Sequence, residues 1–298
     1  MKIGYSIPSN QGVDDARALI DLGVLAEELG LDSVWASEHL FHSAYIAERL
    51  DNRPYYEPLT ILTAVAARTQ RIRLGTSVLV LPWHDPPRLG KVVATLDHVS
   101  RGRVDLGVGV ATTEDEFNNL GVDFKSRGKR ANEVLGALRA LWTEERPEFA
   151  GEFYQYSGLK FSPKPFQKPH PPILIGGHSP AAIRRIAAYG DGWHTLRQSP
   201  DEVRDTLPAI QAAMQAAGRD PGTLRTSISI GLMPAGDAPT KPPEQRRSLS
   251  GADRDVAATM RAYEAAGVDE IVITTSSADP AVHKAALMRI SDDIRPKL

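Results

Sequence analysis

Two short stretches of this 298-residue chain carry residue types that could do chemistry. In Val34-Trp35-Ala36-Ser37-Glu38-His39 an apolar run ends on a carboxylate and an imidazole. Imidazole ordinarily titrates near neutrality, so His39 is a candidate to exchange a proton with a substrate; a histidine held at a strand end for structural reasons would read the same way. Alternation along a strand puts Glu38 and His39 on opposite faces while the strand lasts, so the two need not touch. In Ile173-Leu174-Ile175-Gly176-Gly177-His178-Ser179-Pro180 two glycines follow a buried run and permit a tight turn. Ser179 and Pro180 suit the N-cap and first position of a helix, and backbone amides at such a start favour a phosphate.

Other patterns narrow the chemistry. His39 and His42 are spaced H-x-x-H, but the order Glu38-His39-Leu40-Phe41-His42 is not that of a zinc protease and supplies no third ligand, so no metal is expected. Gly107-Val108-Gly109-Val110-Ala111-Thr112 matches half of a dinucleotide fingerprint, with threonine where the third glycine belongs. Its small residues predict instead that a cofactor or a neighbouring element comes close to the backbone there. No G-x-S-x-G elbow, phosphate-binding lysine loop or triad spacing occurs, so nucleophilic hydrolysis loses its usual signature. Lys160, Lys164, Lys168 and His170 lie among prolines and read as a solvated loop, or as a place for an acidic ligand tail.

These residues need a scaffold that gathers strand ends. Eight apolar, largely β-branched runs serve: Lys2 to Ile7, Ser33 to Ser37, Ile72 to Val80, Val104 to Val110, Ile173 to Ile175, Gly192 to Thr195, Thr226 to Met233 and Glu270 to Thr274. Helical stripes separate them, such as Leu19, Leu22, Ala26, Leu29 and Val134, Leu138, Leu141, Trp142. Eight βα units predict a (β/α)8 TIM barrel over residues 1–298 as one domain, with insertions after strand 2, before strand 5 and after strand 7. Function in such a barrel gathers at the C-terminal strand ends, which adds Ser77, Val78, Gly109, Val110 and His194 to the candidates. The first insertion, 40–58, holds Phe41, Tyr45, Tyr55 and Tyr56 as an aromatic wall. The second, 145–172, reads as a small hairpin. The third, 235–251, rich in proline and charge, reads as a mobile lid or a slack surface loop.

Composition removes several partner classes. A formal net charge of −2 offers no general basis for binding nucleic acid or an anionic membrane. The absence of cysteine rules out disulfides, thiolate metal sites and thiol catalysis. The apolar start is broken by Pro8, too early for a signal peptide, and no run approaches membrane-spanning length, so a cytoplasmic protein is expected.

Taken together, the motifs resemble those of the bacterial luciferase-like monooxygenase superfamily, in its branch of oxidoreductases using the deazaflavin coenzyme F420. They are Ser37-Glu38-His39, Leu74-Gly75-Thr76-Ser77-Val78, Ala94 through Arg103, Gly107-Val108-Gly109, Glu116-Phe117, Arg139-Ala140-Leu141-Trp142, Pro171-Pro172-Ile173, Gly176-Gly177-His178-Ser179 and Gly190-Asp191-Gly192-Trp193-His194. Each is weak alone, and together they cover nearly the whole chain. The resemblance implies a bulge in strand three with a non-prolyl cis peptide at Ser77-Val78 pressed on the cofactor ring. It also implies a cofactor site of Ser77, Val78, Gly109, Val110, Gly176, Gly177, His178 and Ser179, with the last four at the phosphate. It gives His39 the acid/base role and Glu38 a positioning role. One departure matters: Ala111-Thr112-Thr113 stands where relatives often carry a glycine with a tryptophan or a catalytic glutamate, which weakens a second proton donor and a sugar-phosphate role. The implied activity is hydride transfer between F420 and a small organic substrate, in a homodimer. The alternatives are an FMN-dependent monooxygenase using dioxygen, a cofactor-binding barrel without turnover, and a phosphate-handling isomerase.

Overall fold

A computed structural model describes residues 1–234 and 236–298. The eight apolar runs become the parallel strands β1 (Lys2–Ser6), β2 (Ser33–Ala36), β3 (Arg73–Thr76), β4 (Val104–Gly109), β5 (Ile173–Gly176), β6 (Gly192–Leu196), β7 (Arg225–Gly231) and β8 (Glu270–Thr274). Each pairs with its neighbours in chain order, β8 returns to β1, and β3 meets β4, so the sheet closes as a TIM barrel. Among the described residues, ten α-helices lie between or after them: α1 (Ala16–Glu28), α2 (Ala44–Leu50), α3 (Pro58–Arg68), α4 (Pro86–Val99), α5 (Asp115–Asn119), α6 (Arg127–Thr143), α7 (Pro180–Tyr189), α8 (Pro200–Ala216), α9 (Asp253–Ala265) and α10 (Pro280–Met288). The starts are coded locally: α3, α4, α7, α8 and α10 open on proline behind a Glu, Asp or Ser whose side chain accepts an amide of the first turn. The expected stripes face inward, with Leu19, Leu22 and Ala26 of α1 and Val134, Leu138, Leu141 and Trp142 of α6 all buried.

The third strand corrects the reading of an unbroken run from Ile72 to Val80. It ends at Thr76 and resumes as a short leg, Leu79–Val80, on the same partner. From Gly75 to Leu79 it takes four steps while β4 takes three, from Asp105 to Val108. The surplus residue makes a bulge, and the Ser77-Val78 bond inside it is cis, as the resemblance implies. Two glycines make the room. A Cβ on Gly107 would lie 1.8 Å from the Thr76 carbonyl oxygen, and one on Gly75 would lie 2.2 Å from the Trp35 ring. The fourth strand stops at Gly109, leaving Val110 outside it, and the seventh runs Arg225–Gly231 rather than Thr226 to Met233.

Inside the barrel Trp35, Leu174 and Val272 form a separate apolar plug. Below it Asp105 receives Arg73 Nε at 2.6 Å and Arg225 Nη1 at 2.7 Å. Burial alone pushes the Asp105 carboxyl up, but Arg73 and then Arg225 outweigh it and hold that carboxyl below the usual range.

The insertions take three forms. The first contains α2. The second contains the expected hairpin, Phe149–Ala150 antiparallel to Gln155–Tyr156, hung on α6 where Glu133 accepts the amides of Glu152, Phe153 and Tyr154. Its basic run serves structure: Lys164 Nζ donates to the Leu141 carbonyl at 2.7 Å, Lys168 Nζ to that of Pro165 at 2.8 Å, and Lys160 pairs with Glu145 at 3.2 Å. In the third insertion Ala235 lies outside the described residues. Its C-terminal end is anchored: Leu249 bridges to Leu232, Arg247 pairs with Glu202, and buried Arg246 donates to Thr259 Oγ1 at 2.8 Å.

Candidate active site

Strand β2 ends at Ala36, and the chain beyond it sends Glu38 and His39 to different partners. Glu38 is buried; it accepts the Val80 amide at 2.7 Å and faces His84 Nε2 at 2.9 Å. That ties the end of β2 to the far leg of the bulge. Burial alone lowers the His84 imidazole, but its hydrogen bond to Glu38, with the charges of Glu38 and Glu57, raises it above its ordinary value.

His39 stands at the C-terminal mouth of the barrel. Its Nδ1 lies 2.5 Å from Glu116 Oε2, and Glu116, fully enclosed on α5, accepts the amides of Leu40 at 3.0 Å and Phe41 at 3.2 Å with its other oxygen. The Nε2 atom of His39 is 2.7 Å from the Tyr45 hydroxyl. Edges of Tyr45, Tyr55 and Trp83 surround the imidazole at 5.7, 5.5 and 6.0 Å between centroids. Tyr55 donates to or accepts from Ser37 Oγ at 2.8 Å, so of the expected aromatic wall Tyr45 and Tyr55 stand at His39, joined by Trp83, while Tyr56 donates to the Asp14 carbonyl at 2.6 Å. His42 turns away, its Nδ1 bonded to the Asp51 carbonyl at 2.7 Å, so the H-x-x-H pair does not converge.

The floor of the mouth is the bulge. Ser77 Oγ is 2.8 Å from His194 Nε2, whose Nδ1 is 2.8 Å from Ser227 Oγ, and the His194 ring stacks on Trp35 at 4.8 Å. Full burial pushes His194 down to about 4, so it sits neutral beneath the bulge. Val78 packs over the strand ends that lack side chains: a Cβ on Gly109 would be 2.8 Å from Val78 Cγ2, and one on Gly176 would be 3.5 Å from its Cγ1. Val110 is half-buried beside them, and Ala111 turns the chain with φ 55°.

Gly177 takes φ 92°, which only glycine adopts freely, and leads into α7. Ser179 caps that helix by accepting the Ala182 amide at 3.2 Å. Gly177, His178 and Ser179 are exposed, and the first amides of any helix lack acceptors within it, so this turn offers donors to an anion. The site therefore fits a flat ring with a phosphorylated arm: a smooth floor of Val78 over Gly109 and Gly176, and an amide turn at its edge.

The sequence pairs neither Glu116 nor Tyr45 with His39. Glu116 is 77 positions away and Tyr45 six, and neither spacing is a recognised acid/base signature. Only the Glu116-Phe117 motif pointed toward that segment. Among the described residues, no cluster of three potential metal ligands occurs and no helix is long and apolar enough to cross a membrane.

Three comparisons place the chain among known proteins. An uncharacterized protein of Mycobacterium tuberculosis is 41% identical over 165 residues, 55% of this chain, which thus spans only 58% of that relative's length. The F420-dependent glucose-6-phosphate dehydrogenase of Amycolatopsis mediterranei is 32% identical over 238 residues, 78% of this chain and 69% of the relative. The crystal structure of monooxygenase RslO1 from Streptomyces bottropensis superposes with a TM-score of 0.83 at 27% identity, covering 99% of both chains. A family model described as luciferase-like monooxygenase matches residues 1–240, and with the closed barrel, its bulged third strand and the glycine turn before α7, the chain belongs to that family.

Proposed function

We propose that the protein is an oxidoreductase that moves a hydride between coenzyme F420 and a small organic substrate at the mouth of the barrel. The observation that carries this reading is the His39–Glu116 pair standing at 2.5 Å among the mouth aromatics. When bound, the deazaflavin ring supplies or takes up the hydride, and the protein supplies position and the proton. Val78, Gly109 and Val110, with Ser77 beside them, form the floor for the ring. Gly176, Gly177, His178 and Ser179 hold the phosphate through backbone amides. Glu38 fixes the bulge through the Val80 amide, and Glu116 holds the His39 ring so that Nε2 turns from the carboxylate toward the mouth. Tyr55 and Trp83 exclude water around it. Leu40 and Phe41 are both 45% exposed near the mouth, which suits an apolar substrate better than a sugar phosphate.

The dehydrogenase relative supports F420 as cofactor. The monooxygenase structure, matched over 99% of both chains, supports monooxygenase chemistry as the second reading, for which we infer FMN with dioxygen. The same reading takes the protein as a cytoplasmic homodimer, paired through the shallow groove that Leu59, Thr60, Thr63, Ala64 and Val92 line between α3 and α4. Titrating the purified protein with F420 and with FMN, followed by oxygen-uptake assays, separates the two cofactors. The expected result is saturable F420 binding without oxygen consumption; tight FMN binding with oxygen uptake and no F420 binding reverses the assignment.

A further inference from the structure

Residues 239–250 of the third insertion shape a hollow of about 230 Å³, and none of its lining residues belongs to the barrel mouth. Thr240, Lys241, Arg246, Arg247, Ser248 and Ser250 line it, and no carboxylate does. Arg246 is only 9% exposed, and a charge enclosed to that degree needs partners for its donors. Its Nε donates to the Lys241 carbonyl at 2.7 Å, and its Nη1 to the Asp255 carbonyl at 3.0 Å and to Thr259 Oγ1 at 2.8 Å. Nη2 donates to nothing among the described residues, and protein does not seal it off, so it opens on the hollow. Arg103 shows the purely structural alternative. It is 8% exposed, and its Nε, Nη1 and Nη2 all donate to oxygens of Ala66, Thr69, Ile72 and Ser100.

The other groups around the hollow are donors too. Arg247 is paired with Glu202, but neither Arg246 nor Lys241 has a carboxylate partner among the described residues. Leu249 donates its amide to the Gly231 carbonyl at 2.8 Å and buries its side chain, and alternation turns Ser248 and Ser250 the other way, where both line the hollow. We propose that this hollow binds a phosphate dianion, free or as the monoester of a small molecule, at a site distinct from the cofactor phosphate turn at Gly177. A planar carboxylate would fill the open edge of the Arg246 guanidinium and leave the remaining donors idle. A tetrahedral phosphate offers oxygens to guanidinium, ammonium and hydroxyl groups at once. Bound there, it would tie Lys241 to Ser248 and Ser250 across the insertion, whose later part Arg246 already braces on α9 and Arg247 on α8. The inference stands on the insertion alone and does not depend on the hydride-transfer reading.

The test is calorimetric titration of the full chain with inorganic phosphate, phenyl phosphate and succinate, joined to hydrogen–deuterium exchange, which locates the binding. The expected result is saturable phosphate binding that slows amide exchange within residues 240–250, with succinate about tenfold weaker or more. Phenyl phosphate binding as well as inorganic phosphate supports the site with a phosphorylated small molecule as its ligand; exclusion of the ester supports it with free phosphate. Lys241→Gln is expected to weaken phosphate about tenfold or more, and the double variant Ser248→Ala/Ser250→Ala about threefold to tenfold. Both remove groups that brace nothing, so folding is not at stake, whereas Arg246→Gln is informative only where its circular dichroism matches the parent. Lys160→Gln makes the same change of charge far along the chain and is expected to bind phosphate as the parent does. No saturable phosphate binding below about 10 mM overturns the proposal. So do protection confined to residues 177–182, succinate binding as tightly as phosphate, or equal affinities in the parent and Lys241→Gln.

Discussion

At the scale of single residues, two histidines are set in opposite directions by what surrounds them. His194 is fully enclosed and pushed down to about 4, while in the unfolded chain an imidazole titrates at about 6.5. Between those values the unfolded chain binds the extra proton, so stability rises with pH across that window and is lost as pH falls. The full effect is on the order of 3 kcal/mol. Urea unfolding of the parent is therefore expected to weaken markedly from pH 7 to pH 4.5, and that of His194→Gln to weaken less; equal pH slopes would show that another group is responsible. His84 runs the other way. Its raised value means that its pairing with Glu38 contributes fully at acid pH and is lost as pH climbs through the folded value. Of the residues at the mouth, His39 and Glu38 were legible because they end an apolar run. Their partners were not, since Glu116 meets His39 only after two strands and the loop beyond β4 have closed.

At the scale of elements, the bulge in the third strand organises the site, and its cause is spread over three strands. Ile72 to Val80 reads as one run because every second residue is apolar or small, and periodicity cannot register one surplus residue opposite β4. The signal lay in the partner: Gly107 and Gly109 are small because Thr76 and Val78 occupy the space their side chains would need. Gly107→Ala is accordingly expected to cost about 3 kcal/mol or more and to abolish cofactor binding, since the new Cβ would fall 1.8 Å from a backbone oxygen. Gly128→Ala is the control. It lies near the start of α6, its nearest neighbour would be Arg185 Nη2 at 3.6 Å, and it is expected to be neutral or up to about 1 kcal/mol stabilising. Chemical denaturation of both checks the pair, and a mild Gly107→Ala would mean that the bulge does not need the glycine. The start of α7 was far easier to read, because Ser179-Pro180 carries its cap within four residues.

At the scale of the whole molecule, eight alternating units suffice to indicate a closed barrel, since each strand pairs with its neighbours in sequence and needs no long-range information beyond the last closure. The barrel then does what no local pattern can: it brings the ends of β2, β3, β4, β5 and β6 to one rim, where His39, the Ser77-Val78 bulge, Gly109 and the Gly177 turn share a mouth. A redox ring lying on that bulge, with its phosphate at the turn, is the central claim. Its most direct measurement is a crystal structure of the protein soaked with F420. The account predicts the tricyclic ring in contact with Val78 and the phosphate within hydrogen-bonding distance of the His178 and Ser179 amides. A ring bound elsewhere, or a phosphate held away from that turn, would contradict it.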